Sequence, residues 1–225
     1  MGKFIAVIGS GGKTTALTAL GKMFPRKSVL LTTTTHILPV SQVPLLIDPS
    51  REALLDALSR PGVVCAGTGA ESGKLSALSP ALLAEAVRTA DLTVCECDGS
   101  RHLPLKLHRP DEPVLPPHVD RCLLVAGLSA LGHPVSQAVH RYDRNPTWAL
   151  SPNTGVGVEE FLCCVEETAA ASRLPRETLR ILLNQEDTAP PEAVEELLHR
   201  LRNRGFLCTA ASLRRDASFL NHWIK

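Results

Sequence analysis

Three glycines, a lysine and two threonines follow the first apolar run, in the stretch FIAVIGSGGKTTALTALGKMF, residues 4–24. Glycines let the backbone turn freely and put no side chain before an approaching anion. Where such a loop leads into a helix, several amide N–H groups converge with the positive end of the helix dipole. A lysine and a hydroxyl there suit the phosphates and the magnesium ion of a nucleoside triphosphate. We therefore predict Mg²⁺ with ATP or GTP as the ligand, bound by Gly9, Ser10, Gly11, Gly12, Lys13, Thr14 and Thr15.

The loop departs from the full phosphate-loop pattern at one position. That pattern has a glycine five residues before Gly12, where this chain has Val7. The loop therefore looks like the G-x-x-G-K-T-T variant of Mur-type ligases rather than the standard form. The alternatives are a glycine-rich strand–helix turn that binds nothing and a dinucleotide-binding loop. The dinucleotide fingerprint has no need for Lys13 followed by two threonines, which argues against the latter.

Two acids stand at the end of a second apolar run, in LTVCECDGS, residues 92–100. Alternate residues of a strand face the same way, so Glu96 and Asp98 can lie on one side, roughly 7 Å apart. Burying carboxylates is costly unless they are paired or bound to a cation. We predict that Asp98, with Thr14, holds magnesium and that Glu96 positions or activates a nucleophile. The alternative is ordinary turn chemistry, since Asp-Gly-Ser is a common turn sequence.

Two further segments carry polar groups that could reach the same ligand. The run TTTTHI follows a strand, and Thr34 could complete the metal shell, although threonine is also a good strand former. The segment SRHLPLKLHRP carries Arg101 and Lys106, which we predict as catalytic groups; the segment could close over the phosphates or hold an anionic substrate, and the alternative is a solvated loop.

A short motif near residue 184 bears on the choice of nucleobase. Asn184 and Asp187 have the N-[KQ]-x-D spacing by which many GTP-binding proteins recognise guanine, and they follow a late apolar strand. In those GTP-binding proteins, the aspartate of the motif accepts hydrogen bonds from the N1 and N2 hydrogens of the base. The alternative is a plain loop before the next helix, so the choice between ATP and GTP stays open.

Composition limits the classes of function. The 225 residues include 24 basic and 23 acidic side chains, so no charge imbalance points to nucleic acid or a membrane surface. No apolar stretch reaches the roughly 18 residues of a spanning helix, and the first residues lack a signal-peptide pattern. The seven cysteines mostly lie in apolar runs and are typical of reduced core thiols. We expect a cytoplasmic protein.

Short apolar runs alternate with helical patterns along the chain, which predicts a parallel α/β sheet. The predicted strands are Phe4–Ile8, Val29–Thr33, Val63–Ala66, Leu92–Asp98, Cys122–Ala126, Leu179–Asn184 and Phe206–Ala210. The predicted helices are Thr14–Met23, Ser50–Ser59, Pro80–Ala90, Val158–Ser172 and Pro191–Asn203. We predict one domain over residues 1–225 with a three-layer, P-loop NTPase-like fold: a mostly parallel sheet with flanking helices and an irregular insert at about 100–157.

The motifs together resemble a known family. GSGGKTT, TTTTHI, ECDGSRHLPLK, EPVLP, AGLSALGHPV, VHR and LNQED occur in the order found in the YqeC family of selenium-dependent hydroxylase accessory proteins. The D-G-S-R-x-x-P-L-K and G-L-x-A-L-G-x-P blocks are far more specific than the glycine loop. The matching positions are Gly9, Gly12, Lys13, Thr14, Asp98, Gly99, Arg101, Lys106, Gly127, Gly132, His140 and Arg141.

The resemblance implies a P-loop nucleotide-binding fold and a part in maturing a selenium-containing cofactor of molybdenum hydroxylases. Its implied partner is a molybdenum hydroxylase or a cofactor-biosynthesis protein. With the residues above, it predicts a magnesium-dependent NTPase or phosphotransferase. The alternatives are a Mur-like ligase or small-molecule kinase, and a nucleotide-gated cofactor chaperone with little turnover of its own.

Overall fold

The computed structural model describes residues 2–220, and within them a ten-stranded sheet, a separate two-stranded sheet and seven α-helices. The strands are β1 Lys3–Gly9, β2 Ser28–Thr33, β3 His36–Ile37, β4 Leu45–Ile47, β5 Gly62–Gly69, β6 Leu75–Ser76, β7 Leu92–Glu96, β8 Leu105–Lys106, β9 Arg121–Gly127, β10 Val139–His140, β11 Leu179–Asn184 and β12 Cys208–Ala211. The helices are α1 Lys13–Lys22, α2 Arg51–Leu58, α3 Pro80–Thr89, α4 Val135–Ala138, α5 Pro146–Leu150, α6 Val158–Ser172 and α7 Pro191–Asn203.

The large sheet is mostly parallel, as predicted. Its strand order is β12-β11-β9-β1-β7-β2-β5-β6-β3, with β4 also on β5, and β6 runs antiparallel to both of its neighbours, β5 and β3. The first strand lies between β7 and β9, and its Val7 pairs with Glu96. This order places the turn after β1 directly beside the acidic end of β7.

Helices cover both faces of the sheet, which confirms the predicted three-layer α/β architecture. Alternate residues of β1 belong to two different cores. Phe4 and Ile8 pack with residues of α6 and α7, whereas Ile5 and Val7 pack with residues of α1. A strand covered on both faces has no polar side to expose, which explains its continuous apolar sequence.

The predicted elements are confirmed with boundary shifts of at most three residues. β11, α6 and α7 have their predicted bounds. Local capping explains part of this agreement: the Ser50 hydroxyl accepts from the Ala53 amide at the start of α2, and Ser79 precedes the proline that opens α3. The strand predicted to end at Asp98 ends at Glu96 instead.

The insert predicted to be irregular, at about 100–157, contains short regular elements besides the predicted strand β9. They include β8 and β10, which form the separate parallel pair, and the helices α4 and α5. A two-residue strand shows no periodicity along the chain, so only its long-range partner reveals it.

No helix within residues 2–220 is long and apolar enough to cross a membrane. The seven cysteines carry free thiols, and only Cys163 is exposed. This agrees with the prediction of reduced core thiols.

Candidate functional site

The glycine loop, residues 9–12, joins β1 to α1 and runs close to neighbouring backbone. Gly11 has φ +75°, and a Cβ there would lie 2.5 Å from Cα of Gly127 at the end of β9. Gly12 has φ +137°, and a Cβ there would lie 2.2 Å from Nδ2 of Asn184. Both positions require glycine, because L-residues rarely adopt these angles and no room exists for a side chain.

The amide groups after this turn donate no hydrogen bond within the part of the chain that the structure describes. The Gly9 amide donates to Oδ2 of Asp98 at 2.9 Å, and the Ser10 amide donates to the Val125 carbonyl at 2.8 Å. Among the hydrogen bonds of residues 2–220, none comes from the amides of residues 11–15. No side chain caps this end of α1. Free amides at a helix N-terminus make a favourable place for an anion.

Lys13 is buried, and its ammonium group lies between two carboxylates. Its Nζ donates to the Gly9 carbonyl at 2.6 Å and lies 3.2 Å from Oδ1 of Asp98 and 3.6 Å from Oε1 of Glu96. Burial by itself lowers the pKa of Lys13, but the charges of Asp98 and Glu96 outweigh it and raise the pKa above its ordinary value. The lysine is therefore a fixed positive charge at the start of α1.

Asp98 uses its two carboxylate oxygens differently. Its Oδ2 accepts from the Gly9 amide at 2.9 Å and lies 2.9 Å from Nε2 of His108 and 3.2 Å from Nζ of Lys106. Its Oδ1 faces Lys13 but has no well-aligned hydrogen bond within the described residues. Burial works to raise the pKa of Asp98, yet Lys13, His108 and Lys106 hold it well below its usual range. Oδ2 fixes the side chain, and Oδ1 keeps free lone pairs.

Glu96 lies between Lys13 and the first threonine of α1. Its Oε2 accepts from Oγ1 of Thr14 at 3.4 Å, a long hydrogen bond, and its Oε1 lies 3.6 Å from the Lys13 ammonium. Burial, helped by the Asp98 charge, raises the pKa of Glu96 even though Lys13 opposes the shift. Glu96, Asp98, Lys13 and Thr14, predicted from separate motifs, thus come together at one end of the sheet.

The basic segment after β7 has two kinds of residue. Lys106 is buried, and its Nζ donates to the Gly99 carbonyl at 2.9 Å and to Oε2 of Glu112 at 3.2 Å, so it is fixed in place. Arg101 is exposed, has φ +48° and has no ion-pair partner within residues 2–220. Of these two residues, Arg101 is the one with the freedom that closing over a ligand requires.

His108 belongs to the basic segment, but the sequence assigns it no role of its own. Its ring bridges Asp98, 2.9 Å from Nε2, and Glu167 of α6, 2.8 Å from Nδ1. Burial lowers the pKa of His108, but the hydrogen bonds to Asp98 and Glu167 more than compensate and raise it. Since Glu167 is 59 positions away, only the folded chain reveals this bridge.

The remaining predicted residues lie around the loop. Thr34 donates its hydroxyl to the Val114 carbonyl at 2.6 Å, so this hydroxyl is bonded to the segment that precedes β9. Thr15 is half-buried on α1. The Ser10 hydroxyl is buried, has no hydrogen-bond partner among the described residues, and lies beside a cavity of about 10 Å³. That volume suits one water molecule at most, so a nucleotide would have to lie on the open side of the loop.

Asn184 and Asp187 have different surroundings. Asn184 is buried; its Nδ2 donates to the Gly11 carbonyl at 2.7 Å, and its Oδ1 accepts from the Leu213 amide at 3.0 Å. It therefore ties the glycine loop to the segment after β12. Asp187 lies on the surface, 3.2 Å from Nη2 of Arg215.

Comparison with known proteins places this site in a family. The family model described as YqeC protein matches residues 5–143. The chain belongs to the YqeC family. A curated relative, the protein named "Uncharacterized protein YqeC" of Escherichia coli strain K12, is 31% identical over 176 residues, which cover 74% of this chain and 69% of the relative.

The YqeC match covers one part of the site and not the other. Residues 5–143 include the glycine loop, the acids of β7, the basic segment and β10, whereas Asn184 and Asp187 lie beyond them. The family assignment thus confirms the resemblance that the motifs indicate, and it concerns the loop more directly than the segment after β11.

Proposed function

We propose that this YqeC family member binds a nucleoside triphosphate with Mg²⁺ at residues 9–15 and hydrolyses it or transfers its terminal phosphoryl group. The observation that carries the proposal is the set of free amides at residues 11–15, with the Lys13 ammonium held beside them. Backbone donors, a helix dipole and a fixed lysine are the groups by which proteins stabilise phosphate charge.

The oxygens around Lys13 suit a magnesium ion. Thr14 offers a hydroxyl, Glu96 a carboxylate oxygen within 3.4 Å of it, and Asp98 the Oδ1 that has no aligned hydrogen bond. Within residues 2–220 no cluster of three His, Cys, Asp or Glu side chains could hold a metal by itself. That suits Mg²⁺, which prefers few protein oxygens and completes its shell with phosphate and water. The ion would neutralise phosphate charge; Thr14 and Asp98 would hold it, and Glu96 lies beside them.

The chain's own residues then have distinct roles. Lys13 stabilises charge on the β- and γ-phosphates. Glu96, whose raised pKa makes it the better proton acceptor of the two acids, orients the attacking group. Arg101 closes over the phosphates from its exposed loop. Lys106, predicted as a second closing group, is instead proposed to act through Asp98, since both its ion pairs are buried.

The base is proposed to be guanine, read by Asp187 alone. Its surface carboxylate can exchange the Arg215 ion pair for the N1 and N2 hydrogens of a base. Asn184 is committed to the Gly11 carbonyl and the Leu213 amide, so it supports the loop instead of contacting the base directly.

We also propose, from family resemblance alone, that this activity serves the maturation of a selenium-containing cofactor of molybdenum hydroxylases. The protein partner would be a molybdenum hydroxylase or a cofactor-biosynthesis protein.

The test is a thermal-shift titration with ATP, GTP and their diphosphates, with and without Mg²⁺. A ligand that binds only the folded state at about a hundredfold excess over its Kd stabilises by about 2.7 kcal/mol. A magnesium-dependent shift that favours the triphosphates is expected. The absence of a shift with every nucleotide would contradict the proposal, and tight binding with negligible turnover would favour the chaperone alternative.

A further inference from the structure

His140 is a buried imidazole that its surroundings leave unused. The residue is 8% exposed, and its backbone carbonyl accepts from the Leu107 amide. Within the described part of the chain, neither ring nitrogen has a hydrogen-bond partner, and neither is fully sealed from solvent. A ring that is mostly buried but keeps both nitrogens open to solvent can use them for a ligand.

The register of the small sheet directs His140 toward the proposed phosphate site. His140 in β10 pairs with Lys106 in β8, and paired residues of neighbouring strands project to the same face. Nζ of Lys106 lies 3.2 Å from Asp98, whose other oxygen faces Lys13. The imidazole therefore lies one side chain away from the carboxylate that contacts the glycine loop.

The charges of three cations act on this imidazole, and two of the cations are already paired. Arg141 places Nη1 and Nη2 on Glu112 at 2.5 and 2.8 Å, and Lys106 is shared between Glu112 and Asp98. Arg101 is the third, and it has no carboxylate partner within residues 2–220. Burial, followed by the charges of Arg141, Lys106 and Arg101, lowers the pKa of His140 to about 4. The ring is therefore neutral at pH 7 in a positive surrounding.

We propose that Arg101 and His140, supported by Arg141, form a subsite for the anionic group of a second substrate, a carboxylate or a phosphate, beside the nucleotide's terminal phosphate. The Arg101 guanidinium would neutralise the anion, and the neutral imidazole of His140 would donate one hydrogen bond to it. Arg141 positions the ring from its ion pair with Glu112. The inference rests on the proposed function and adds to it a second substrate of stated charge.

The experiment follows the His140 ring by NMR, in protein saturated with Mg²⁺ and a nonhydrolysable triphosphate so that the glycine loop is filled. Inorganic phosphate and acetate are titrated separately at pH 7, and loss of the signal in His140→Gln assigns it. We expect a saturable shift with at least one probe, and the probe that binds more tightly identifies phosphate or carboxylate as the preferred group.

Matched variants separate the subsite from general charge effects. Arg101→Gln should weaken probe binding at least tenfold, whereas Arg109→Gln, which removes an exposed arginine of the same segment, should leave it within twofold. Because Arg101 is exposed, its variant should fold even if His140→Gln does not. Equal affinity in the two arginine variants, or no shift of His140 with either probe, would overturn the inference.

Three further outcomes show which of the two proposals has failed. Phosphate binding that disappears once the analogue fills the loop would place the anion at the γ-phosphate position and overturn the second-substrate inference. If the analogue raises the melting temperature but neither probe moves His140, the inference fails and the proposed function stands. If the analogue has no effect while Arg101-dependent probe binding persists, the anion subsite stands and the nucleotide proposal fails.

Discussion

The glycine loop and the segment after β11 lie at the same edge of the sheet, and both were predicted to contact nucleotide. In the loop, the amides of residues 11–15 have no acceptor among residues 2–220. In the other segment, Asn184 has hydrogen bonds at both ends of its amide, and one of them holds the loop itself. Unused donors point to a ligand, whereas donors that are already bonded point to support of the fold. The following predictions test that distinction.

The largest effect is expected at Lys13. Lys13→Ala removes the fixed charge beside the free amides, so the affinity for Mg²⁺–nucleoside triphosphate should fall at least about 100-fold, or about 2.7 kcal/mol. Isothermal titration calorimetry measures it. Lys22→Ala, an exposed lysine in the last turn of α1, is the matched control. Unchanged nucleotide affinity in Lys13→Ala would show that the glycine loop is not part of the binding site.

Asn184→Ala should lower the stability of the fold more than it changes the preference between GTP and ATP. The substitution leaves the Gly11 carbonyl and the Leu213 amide without partners, which should lower the free energy of unfolding by about 2–3 kcal/mol. Urea denaturation without ligand measures the loss. Asn203→Ala, at the exposed end of α7, should change stability by less than about 0.5 kcal/mol. Equal losses in the two variants would contradict the supporting role.

Glu112 also supports the fold, through its ion pairs with Arg141 and Lys106, and its contribution to stability should depend on pH. Burial works to raise its pKa, but Arg141 and Lys106 lower it to about 2. A depressed folded-state pKa contributes stability above the unfolded value, near 4.5, and this contribution is lost as the pH falls toward 2. Glu112→Gln should therefore be less stable by about 1–2 kcal/mol at pH 7, allowing for solvent screening, and equal to the parent near pH 2.

Denaturant titrations of the two proteins between pH 7 and pH 2 measure the Glu112 effect. Glu71→Gln, which changes an exposed acid without an ion pair in the described chain, should run parallel to the parent. A constant gap for Glu112→Gln at all pH values would show that the loss comes from packing and not from charge.

Asp187→Asn should have the smallest effect on folding. Its ion pair with Arg215 is on the surface, so the free energy of unfolding should change by less than about 0.5 kcal/mol. If Asp187 reads guanine, GTP affinity should fall about tenfold while ATP affinity stays constant. Parallel GTP and ATP titrations decide this. A loss for both nucleotides would assign Asp187 to the loop's support instead of to the base.

The sequence predicted the sheet well because its strands are short apolar runs with helices between them. The sequence also predicted that Glu96 and Asp98 lie at the same site as Lys13, because strand ends and glycine turns can be recognised from neighbouring residues. The two-residue strands and the His108–Glu167 bridge leave no such signal, because they depend on partners far along the chain. Lys106 illustrates the limit: its charge was visible in the sequence, but the ion pairs that bury it were not.

The single exposed cysteine has a practical consequence. Cys163 lies four residues before Glu167 on α6, and Glu167 holds His108, which contacts Asp98. A maleimide dye could therefore be attached to the native protein at one position, one helical turn from Glu167. Burial and the neighbouring glutamates raise the pKa of the thiol, so mildly alkaline buffer would be needed for coupling. The fluorescence of the labelled protein would then show whether ligand binding at the glycine loop changes the surroundings of α6, on the opposite face of the sheet from α1.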